Sequence, residues 1–497
     1  MRLRGVHRRT LLRAGAITGA ATLVSPTFWS RAADPVSGSA WSAFEAGLAG
    51  DLVRPGESGY LTAKRLYNPL FDRLRPAAVV RAEALADVVE TVRFARQHGL
   101  VVRPRGGSHS YVGASSGNGV IQLDLGRMDG IDVGSGSVTV QAGARLFDVH
   151  TALDAHGQTL PTGSCPTVGV AGLTLGGGVG VEGRAHGLTC DALQEAVVVT
   201  ADGRVRHASA SSEPHLFWGL RGGGGGNFGI VTRFRFRTFP AQSAGFFFLH
   251  FRGRDAEAVV RGWLQRLGSM PRSSWANVHV DAVSGGLDVR IVGLSLTGDG
   301  HQEAGRLEAA IGRDVTESSF FTRDHLDSVK LLAGCSTRTD AQCHLVPQGD
   351  LGRESFVAGS DVIGATATQL DAAVGAVRRR SRDGGPGSLL LDPLGGRISD
   401  VARGGSAFRW REAKGIAQWY VGLPTAPSST NVDVARAWIR SGHTAMGANS
   451  VGGYVNYVEP GRALPTYYGA NWSRLRQVKA AYDPGNFFHS SWSIPPA

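Results

Sequence analysis

Residues 163–180 read Gly163-Ser164-Cys165-Pro166-Thr167-Val168-Gly169-Val170-Ala171-Gly172-Leu173-Thr174-Leu175-Gly176-Gly177-Gly178-Val179-Gly180, a glycine-rich run that contains a cysteine. Two more glycine runs accompany it: Arg105-Gly106-Gly107-Ser108-His109, and five glycines followed by Asn227-Phe228-Gly229-Ile230-Val231-Thr232. Consecutive glycines let several backbone N–H groups point into one concavity, which suits a pyrophosphate. One such turn is weak evidence, but three together, one with a histidine and one with a cysteine, predict a ligand site.

Hydrophobic patterning predicts an α+β chain around these runs. Leu85, Val88 and Val92 recur at helical spacing, and Gly99 ends that helix. Short strands are predicted at residues 79–81, 101–103, 120–125, 138–141, 196–200 and 231–239. The middle third combines long strands with helices, which predicts a sheet covered by helices on one face. Its strands are predicted at residues 246–251, 276–282 and 287–296, and its helices at 256–267 and 302–311.

The N-terminal segment has the pattern of an export signal. Arg8-Arg9-Thr10-Leu11-Leu12-Arg13 precedes an apolar run over residues 14–24 and then Ser30-Arg31-Ala32. The paired arginines resemble a twin-arginine signal, read by the Tat export machinery, so residues 1–32 predict a secreted or extracytoplasmic protein. The alternative, a membrane anchor, needs about 20 apolar residues and the run is shorter. No later segment reaches that length either.

The net charge gives no support for nucleic-acid binding. The formal charge of the 497-residue chain is +11, but residues 1–32 hold six arginines and no acidic residue, which leaves +5 for the rest. That remainder contains no basic block interleaved with aromatic residues. We therefore expect no nucleic-acid partner and, since no ligand cluster stands out, no metal.

The four cysteines are expected to have different roles. Export would place them in a compartment that permits disulfides. Cys335 and Cys343 are close neighbours in a polar stretch and can pair or stay free. Cys190 is predicted to be an inert buried thiol. Cys165 differs from these three, because it lies inside a glycine run.

Taken together with Tyr454-Val455-Asn456-Tyr457, Tyr482-Asp483-Pro484-Gly485-Asn486-Phe487-Phe488 and Ile494-Pro495-Pro496, these motifs resemble the FAD-linked oxidases of the berberine bridge enzyme type. The resemblance covers about residue 77 to the C-terminus and is to the bicovalent, oligosaccharide-oxidase-like branch of the vanillyl-alcohol oxidase superfamily. It implies a PCMH-type FAD-binding domain of two α/β subdomains and a substrate domain with an antiparallel sheet. The implied boundaries are 45–240 for the FAD domain, 241–447 for the substrate domain, and 448–497 for a segment that returns to the FAD domain.

The resemblance implies FAD bound covalently through His109 to its 8α-methyl and through Cys165 to its C6. Two bonds would fix the ring system at an open cleft and make it a stronger oxidant. Val168 matches the position that gates oxygen in the family, where valine goes with oxidases. The further residues expected to contact the cofactor are Arg105, Gly106, Gly107, Ser108, Gly169, Gly172, Gly176, Gly177, Asn227, Gly229, Ile230, Val231, Tyr454 and Asn456.

For catalysis the resemblance implies that Tyr457 removes a proton from a substrate hydroxyl, with Tyr454 close by. A tyrosine has a pKa near 10 and needs help to act as a base. Asp392 matches an active-site position and would provide that help, although a strand-end turn former is an alternative for it. The resemblance also implies that a carboxylate or amide used by plant relatives is replaced around residues 417–419. Trp419 is expected either to stack on a substrate ring or to pack in the core.

These inferences predict an exported oxidase of hydroxyl groups on a carbohydrate, lactone or secondary metabolite. Bicovalent FAD would accept a hydride, and O2 would then reoxidise the flavin to give H2O2. One alternative is a dehydrogenase that passes electrons to another acceptor. The other is a flavin-holding binding protein without redox turnover.

Overall fold

The computed structural model describes residues 36–497, so the signal predicted at residues 1–32 lies outside the described residues. Within 36–497, no helix is long and apolar enough to cross a membrane. The strands, in chain order, are β1 (Asp51–Val53), β2 (Ala78–Arg81), β3 (Val102–Arg105), β4 (Ile121–Asp124), β5 (Ile131–Gly134), β6 (Ser137–Gln141), β7 (Gln158–Thr159), β8 (Leu193–Val199), β9 (Val205–Ser209), β10 (Ile230–Arg237), β11 (Phe239–Pro240), β12 (Ala244–Phe251), β13 (Ser274–Val283), β14 (Gly286–Ser295), β15 (Val315–Arg323), β16 (Phe356–Ile363), β17 (Gly387–Pro393) and β18 (Gly415–Gly422).

The helices alternate with the short strands at first and then with long ones. They are α1 (Gly38–Ala46), α2 (Tyr60–Ala63), α3 (Leu85–Gln97), α4 (Leu146–Asp154), α5 (Val170–Leu175), α6 (Gly183–His186), α7 (Thr189–Ala192), α8 (Pro214–Leu220), α9 (Ala256–Arg266), α10 (Gly300–Ile311), α11 (His325–Leu332), α12 (Asp371–Arg382), α13 (Ser429–Met446), α14 (Pro465–Tyr468) and α15 (Trp472–Tyr482). The predicted elements are present, with ends shifted by a few residues.

Three main sheets form the molecule. The first has the order β1-β2-β4-β3, with β2, β4 and β3 parallel. The second is antiparallel with the order β5-β6-β10-β8-β9, and the hairpin between β8 and β9 turns at Asp202-Gly203. The third is a seven-stranded antiparallel sheet, β15-β12-β14-β13-β17-β18-β16. Mixed short sheets beside one large antiparallel sheet confirm the predicted α+β fold class.

Two large hydrophobic cores lie on either side of the glycine runs. The first combines residues 41–236 with C-terminal residues such as Leu475, Phe488 and Ile494. The second lies between the seven-stranded sheet and the helices α9, α10, α12 and α13. Because side chains alternate along a strand, this sheet sends one set of residues into the helices and the other set to its opposite face.

The predictions for the structural cysteines can be compared directly with the coordinates. Cys335 and Cys343 form a disulfide, so of the two possibilities the paired one is present. Both cysteines are buried against Phe147 of α4. Cys190 is a buried free thiol, as predicted.

A buried ion pair fastens the C-terminal segment to the first core. The Lys479 ammonium donates to Asp483 at 2.6 Å and to the carbonyls of Asn227 and Phe488, both at 2.7 Å. Asp483 also accepts from the backbone N–H groups of Phe487 and Phe488. Both charged side chains are essentially excluded from solvent, at 0% and 1% exposure.

We expect Lys479→Met to lower the free energy of unfolding by about 3–5 kcal/mol, because it leaves a buried carboxylate without its cation. Urea unfolding followed by circular dichroism measures the loss. The control is Arg93→Met, which removes an exposed ion pair with Glu90 and should cost at most about 1 kcal/mol. Equal losses in the two variants would contradict the anchoring role of Lys479.

Candidate active site

A cavity of about 770 Å³ lies between the glycine runs and the face of the seven-stranded sheet that points away from its helices. All three glycine runs contribute to its wall, and residues 489–493 of the C-terminal segment line it as well. One cavity therefore joins the ligand cradle predicted from the first half of the chain to strands of the middle third.

The first two glycine runs touch through their backbones. A Cβ atom on Gly107 would lie 2.0 Å from the nitrogen of Gly169, and one on Gly169 would lie 2.2 Å from the nitrogen of Gly107. Such distances exclude any side chain at either position. This contact places the segments that carry His109 and Cys165 against the same cavity.

The imidazole of His109 is held in one orientation with one nitrogen unused. Its Nε2 is 2.9 Å from the Thr167 hydroxyl, and its ring stacks on Tyr67 with centroids 3.7 Å apart. Burial, and next the charge of Arg145, lower the pKa of His109 to about 3, so the ring is neutral at pH 7. Nδ1 has no hydrogen-bond partner within residues 36–497. A neutral imidazole with a free nitrogen can act as a nucleophile.

Cys165 is a free thiol whose surface opens into the cavity. The surrounding protein raises the pKa of the thiol, through burial first and then through the carboxylate of Glu354. Burial and then the charge of Glu354 raise the pKa of Tyr67 and of Tyr420. The thiol is thus accessible from the cavity.

Tyr457 and Asp392 both line the cavity, and the charge of Asp392 acts on Tyr457. The Tyr457 ring stacks on Tyr111 with centroids 5.1 Å apart and planes only 3° from parallel. Burial, then Tyr111 and Asp392, raise the pKa of Tyr457 well above its usual value. Burial raises the pKa of Asp392 to about 6, although a hydrogen bond from Asn277 opposes the shift. The pair therefore combines a protonated phenol with a carboxyl group that titrates near neutral pH.

Tyr454 has its hydroxyl turned toward the glycine run. The oxygen accepts from the N–H groups of Gly178 at 3.1 Å and Val179 at 3.2 Å, and from the Asn456 amide at 2.9 Å. Burial raises the pKa of Tyr454 to about 12. These contacts fix the C-terminal segment onto the glycine run, and a catalytic role for Tyr454 stays a prediction.

Most residues predicted to contact the cofactor do line the cavity. They are His109, Cys165, Gly106, Gly107, Ser108, Val168, Gly169, Gly172, Asn227, Gly229, Val231, Tyr454 and Asn456.

Four predicted contacts are not among the cavity-lining residues, and each has a physical reason. The Arg105 guanidinium is bound by Asp124 and by backbone carbonyls of residues 63 and 65. Gly176 is packed against Asn456, and Gly177 against Phe408. Ile230 belongs to the first hydrophobic core. These contacts hold the four residues beside the cavity wall, and their contact with the cofactor stays a prediction.

Strand β18 decides between the two alternatives for Trp419 and corrects the expectation for its neighbour. Trp419 is fully buried, contacts Trp438 and donates to Asp361, so it packs in the core rather than on a substrate. Its neighbour Gln418 lines the cavity and donates to the Tyr111 hydroxyl at 2.7 Å. The Gln418 side chain therefore places an amide in the cavity, within the stretch 417–419 where the sequence analysis expects the amide of plant relatives to be replaced. The alternation of β18 decides this, because adjacent residues point to opposite faces.

Several aromatic and polar residues of the cavity were missed from the sequence. Tyr67 precedes the first glycine run by about 40 residues, while Glu354 and Phe356 lie at the start of β16. No motif marks them, since they reach the cavity through the tertiary fold. Tyr111 could have been predicted from the sequence, because it follows His109 by two residues.

A charged network holds the segment that carries Tyr454 and Tyr457. His443 lies between the Asp361 carboxylate, at 2.7 Å, and the Glu459 carboxylate, at 2.9 Å. Arg462 binds the same two carboxylates. Burial alone would lower the pKa of His443, but the hydrogen bonds and charges of the two carboxylates outweigh it and raise the pKa to about 9. His443 is therefore an imidazolium at neutral pH.

This network predicts a pH-dependent stability. The pKa of His443 lies above its unfolded value near 6.5, so its contribution is complete below about pH 6.5 and is lost as the pH rises through about 9. Thermal unfolding between pH 6 and 10 should show a falling stability that His443→Gln abolishes. His207→Gln, which removes an exposed histidine, should keep the slope. A wild-type slope in His443→Gln would refute the assignment.

Comparison with known proteins agrees with this arrangement. The FAD binding domain family matches residues 76–209, and the berberine and berberine like family matches residues 453–495. The FAD-linked oxidoreductase YgaK of Bacillus subtilis is 31% identical over 468 residues, which cover 90% of this chain and 97% of the relative. The chitooligosaccharide oxidase of Gibberella zeae is 30% identical over 445 residues, 85% of this chain and 87% of the relative. The structure of Physcomitrella patens BBE-like 1 superposes with a TM-score of 0.81 at 26% identity, over 92% of this chain and 99% of that one.

The fold and the site thus define an FAD-linked oxidoreductase. Within that class, the chain belongs to the berberine bridge enzyme-like family, whose C-terminal segment it carries. The predicted family and the predicted enzyme class are confirmed.

Proposed function

We propose that this enzyme oxidises a hydroxyl-bearing substrate with an FAD held by two covalent bonds, at His109 and Cys165. The observation that carries the proposal is the content of one cavity: a free imidazole nitrogen, a free thiol and the Tyr457–Asp392 pair. The first two groups suit attachment of a cofactor, and the last two suit removal of a proton from a hydroxyl.

The cavity wall fits a flavin dinucleotide. Gly172 lines it, and a Cβ atom there would meet no atom within 4 Å and so would project into open volume. Gly224 and Gly226 line it in left-handed conformations, which turn successive backbone groups toward the concavity. FAD supplies a two-electron acceptor when bound, and His109 and Cys165 would keep it in place while substrates enter and leave.

The proton of the substrate hydroxyl has a clear acceptor. Tyr457 stays protonated in its buried setting, so it can take a proton only by giving up its own. Asp392, with a pKa of about 6, is ionised at neutral pH and can receive that proton. We therefore assign Tyr457 to contact the hydroxyl and Asp392 to hold the proton.

Two relatives and one cavity residue support the proposed oxidant and the proposed substrate class. The Gibberella zeae relative is named as a chitooligosaccharide oxidase and a Thermothelomyces thermophilus relative, 29% identical, as a xylooligosaccharide oxidase. Val168 lines the cavity, and its small side chain leaves room for O2 to approach. A carbohydrate, lactone or secondary-metabolite alcohol as substrate, H2O2 as product and export through the twin-arginine signal of residues 1–32 complete the proposal.

The attachment is tested by mass. Intact mass and peptide mapping of the denatured protein should show FAD on the peptides of both His109 and Cys165. Cys165→Ala should keep one bond, and His109→Ala with Cys165→Ala should release all flavin on denaturation. Cys190→Ala, which removes the buried thiol, is the control and should keep both bonds. A wild-type mass without flavin would overturn the proposal.

The proton route is tested by anaerobic stopped-flow reduction. Tyr457→Phe should keep its flavin and lose at least about a hundredfold in substrate-driven reduction. Because Asp392 acts as an anion, kcat/KM should rise with pH through about 6, and Asp392→Asn should lose this limb together with most of the rate. Undiminished reduction in Tyr457→Phe would remove it from the reaction. Slow reoxidation in air would favour the dehydrogenase alternative over the oxidase.

A further inference from the structure

The cavity has a polar end and an apolar end. Around Asp392 the sheet presents Asn277 and Gln418, which can donate and accept hydrogen bonds. Farther along the sheet the lining changes completely. The apolar end is formed by Phe248, Trp275, Val292, Leu331 and Leu332.

Strand register measures the distance between the two ends. Phe248 pairs with Val292, Val292 pairs with Asn277, and the pairing of Val278 with Leu391 places Asn277 beside Asp392. These residues form one row across β12, β14, β13 and β17. Neighbouring strands are about 4.8 Å apart, so Val292 lies about 10 Å and Phe248 about 14 Å from Asp392.

The apolar end is continuous with a hydrophobic cluster. Trp275 belongs to a buried group with Phe246 and Leu294, and Phe248, Val292, Leu331 and Leu332 pack against it. The last two come from α11, next to the segment closed by the disulfide. A ligand group that reaches this end meets aliphatic and aromatic surface from both the sheet and the helix.

Such a surface discriminates between ligands. A sugar unit placed there would bury hydroxyl groups without partners, which is costly. An alkyl or aryl group would gain by leaving water. A polar ring extended by further sugars fits the cavity less well than the same ring extended by an apolar substituent.

We propose that the substrate is an amphiphilic alcohol. Its hydroxyl-bearing polar part lies at Asp392, Asn277 and Gln418, and an apolar chain or ring attached to it reaches Val292 and Phe248. This inference rests on the proposed function, which places the reacting hydroxyl at Asp392. It narrows the substrate to polar heads with apolar extensions and disfavours unmodified oligosaccharides.

The test compares two series that share a glucose head. One series extends it with apolar groups, as 6-O-acyl glucose esters from acetyl to decanoyl, and the other adds glucosyl units, from cellobiose to cellotetraose. Equilibrium Kd values come from ligand-induced changes in protein fluorescence. In the acyl series we expect affinity to rise about fourfold per methylene once the chain reaches the apolar end, which corresponds to about 0.8 kcal/mol per buried CH2 group. The glucosyl series should gain nothing.

The near-isosteric Val292→Thr tests the assigned wall. It should weaken binding of the longest esters about fivefold and leave glucose binding unchanged. The matched control is Val283→Thr at the exposed end of β13, outside the cavity, which should behave as wild type. Tighter binding with each glucosyl unit, flat affinities in both series, or an unchanged slope in Val292→Thr would each overturn the proposal.

The experiment distinguishes a failure of the amphiphile proposal from a failure of the proposed oxidase function. The Kd series is measured whether or not a ligand reduces the flavin, so a missing slope refutes the amphiphile without touching the oxidase. A slope without reduction by any bound ligand would refute the placement of the reacting hydroxyl, and with it the proposed function.

Discussion

The contact between the backbones of Gly107 and Gly169 is the constraint on which the site depends. A Cβ atom on either residue would lie about 2 Å from the backbone nitrogen of the other. The two segments can therefore approach this closely only if both positions are glycine. The contact lies two residues before His109 and four after Cys165. It therefore sets the spacing of the two groups proposed to anchor the cofactor. It also places Thr167 against the His109 ring and leaves the other ring nitrogen free for the cavity.

A second constraint, the alternation of side chains along the seven-stranded sheet, builds the opposite wall. Leu391 and Trp419 point into the helix-covered core, while Asp392 and Gln418 point into the cavity. The same alternation on β13 turns Asn277 inward. The helices α12 and α13 thus stabilise the wall indirectly, because they bury the residues between the functional ones. Stability and chemistry are divided between the two faces of one sheet.

The residues of the candidate site that lie within short sequence motifs can be predicted from the sequence. His109 and Cys165 were identifiable because the glycines around them act through the backbone, and a glycine run keeps that meaning wherever it occurs. The partners of Arg105, which are Asp124 and the carbonyls of residues 63 and 65, are set by tertiary packing and could not be predicted from the glycine run.

Strand β18 shows why the cavity residues of the seven-stranded sheet could not be predicted from the sequence. Its sequence, Gly-Ile-Ala-Gln-Trp-Tyr-Val-Gly, is apolar on both faces apart from one glutamine, so hydrophobic patterning does not say which side chains face the cavity. The fold, its elements and the oxidoreductase class followed from the sequence. The cavity wall of the middle third needed the sheet register.

In the proposed reaction, the electrostatics of the cavity favour one proton acceptor over the other titratable groups. Burial raises the pKa of Tyr67, Tyr111 and Tyr457 alike, so each of these phenols keeps its proton at neutral pH. The imidazole of His109 is neutral for the same reason and already has Thr167 as a partner. Asp392 differs, since its pKa of about 6 makes it an anion in the working range that can still accept a proton without a large penalty. In the proposed reaction Tyr457 is therefore the contact to the hydroxyl, and the base is the pair rather than the tyrosine alone.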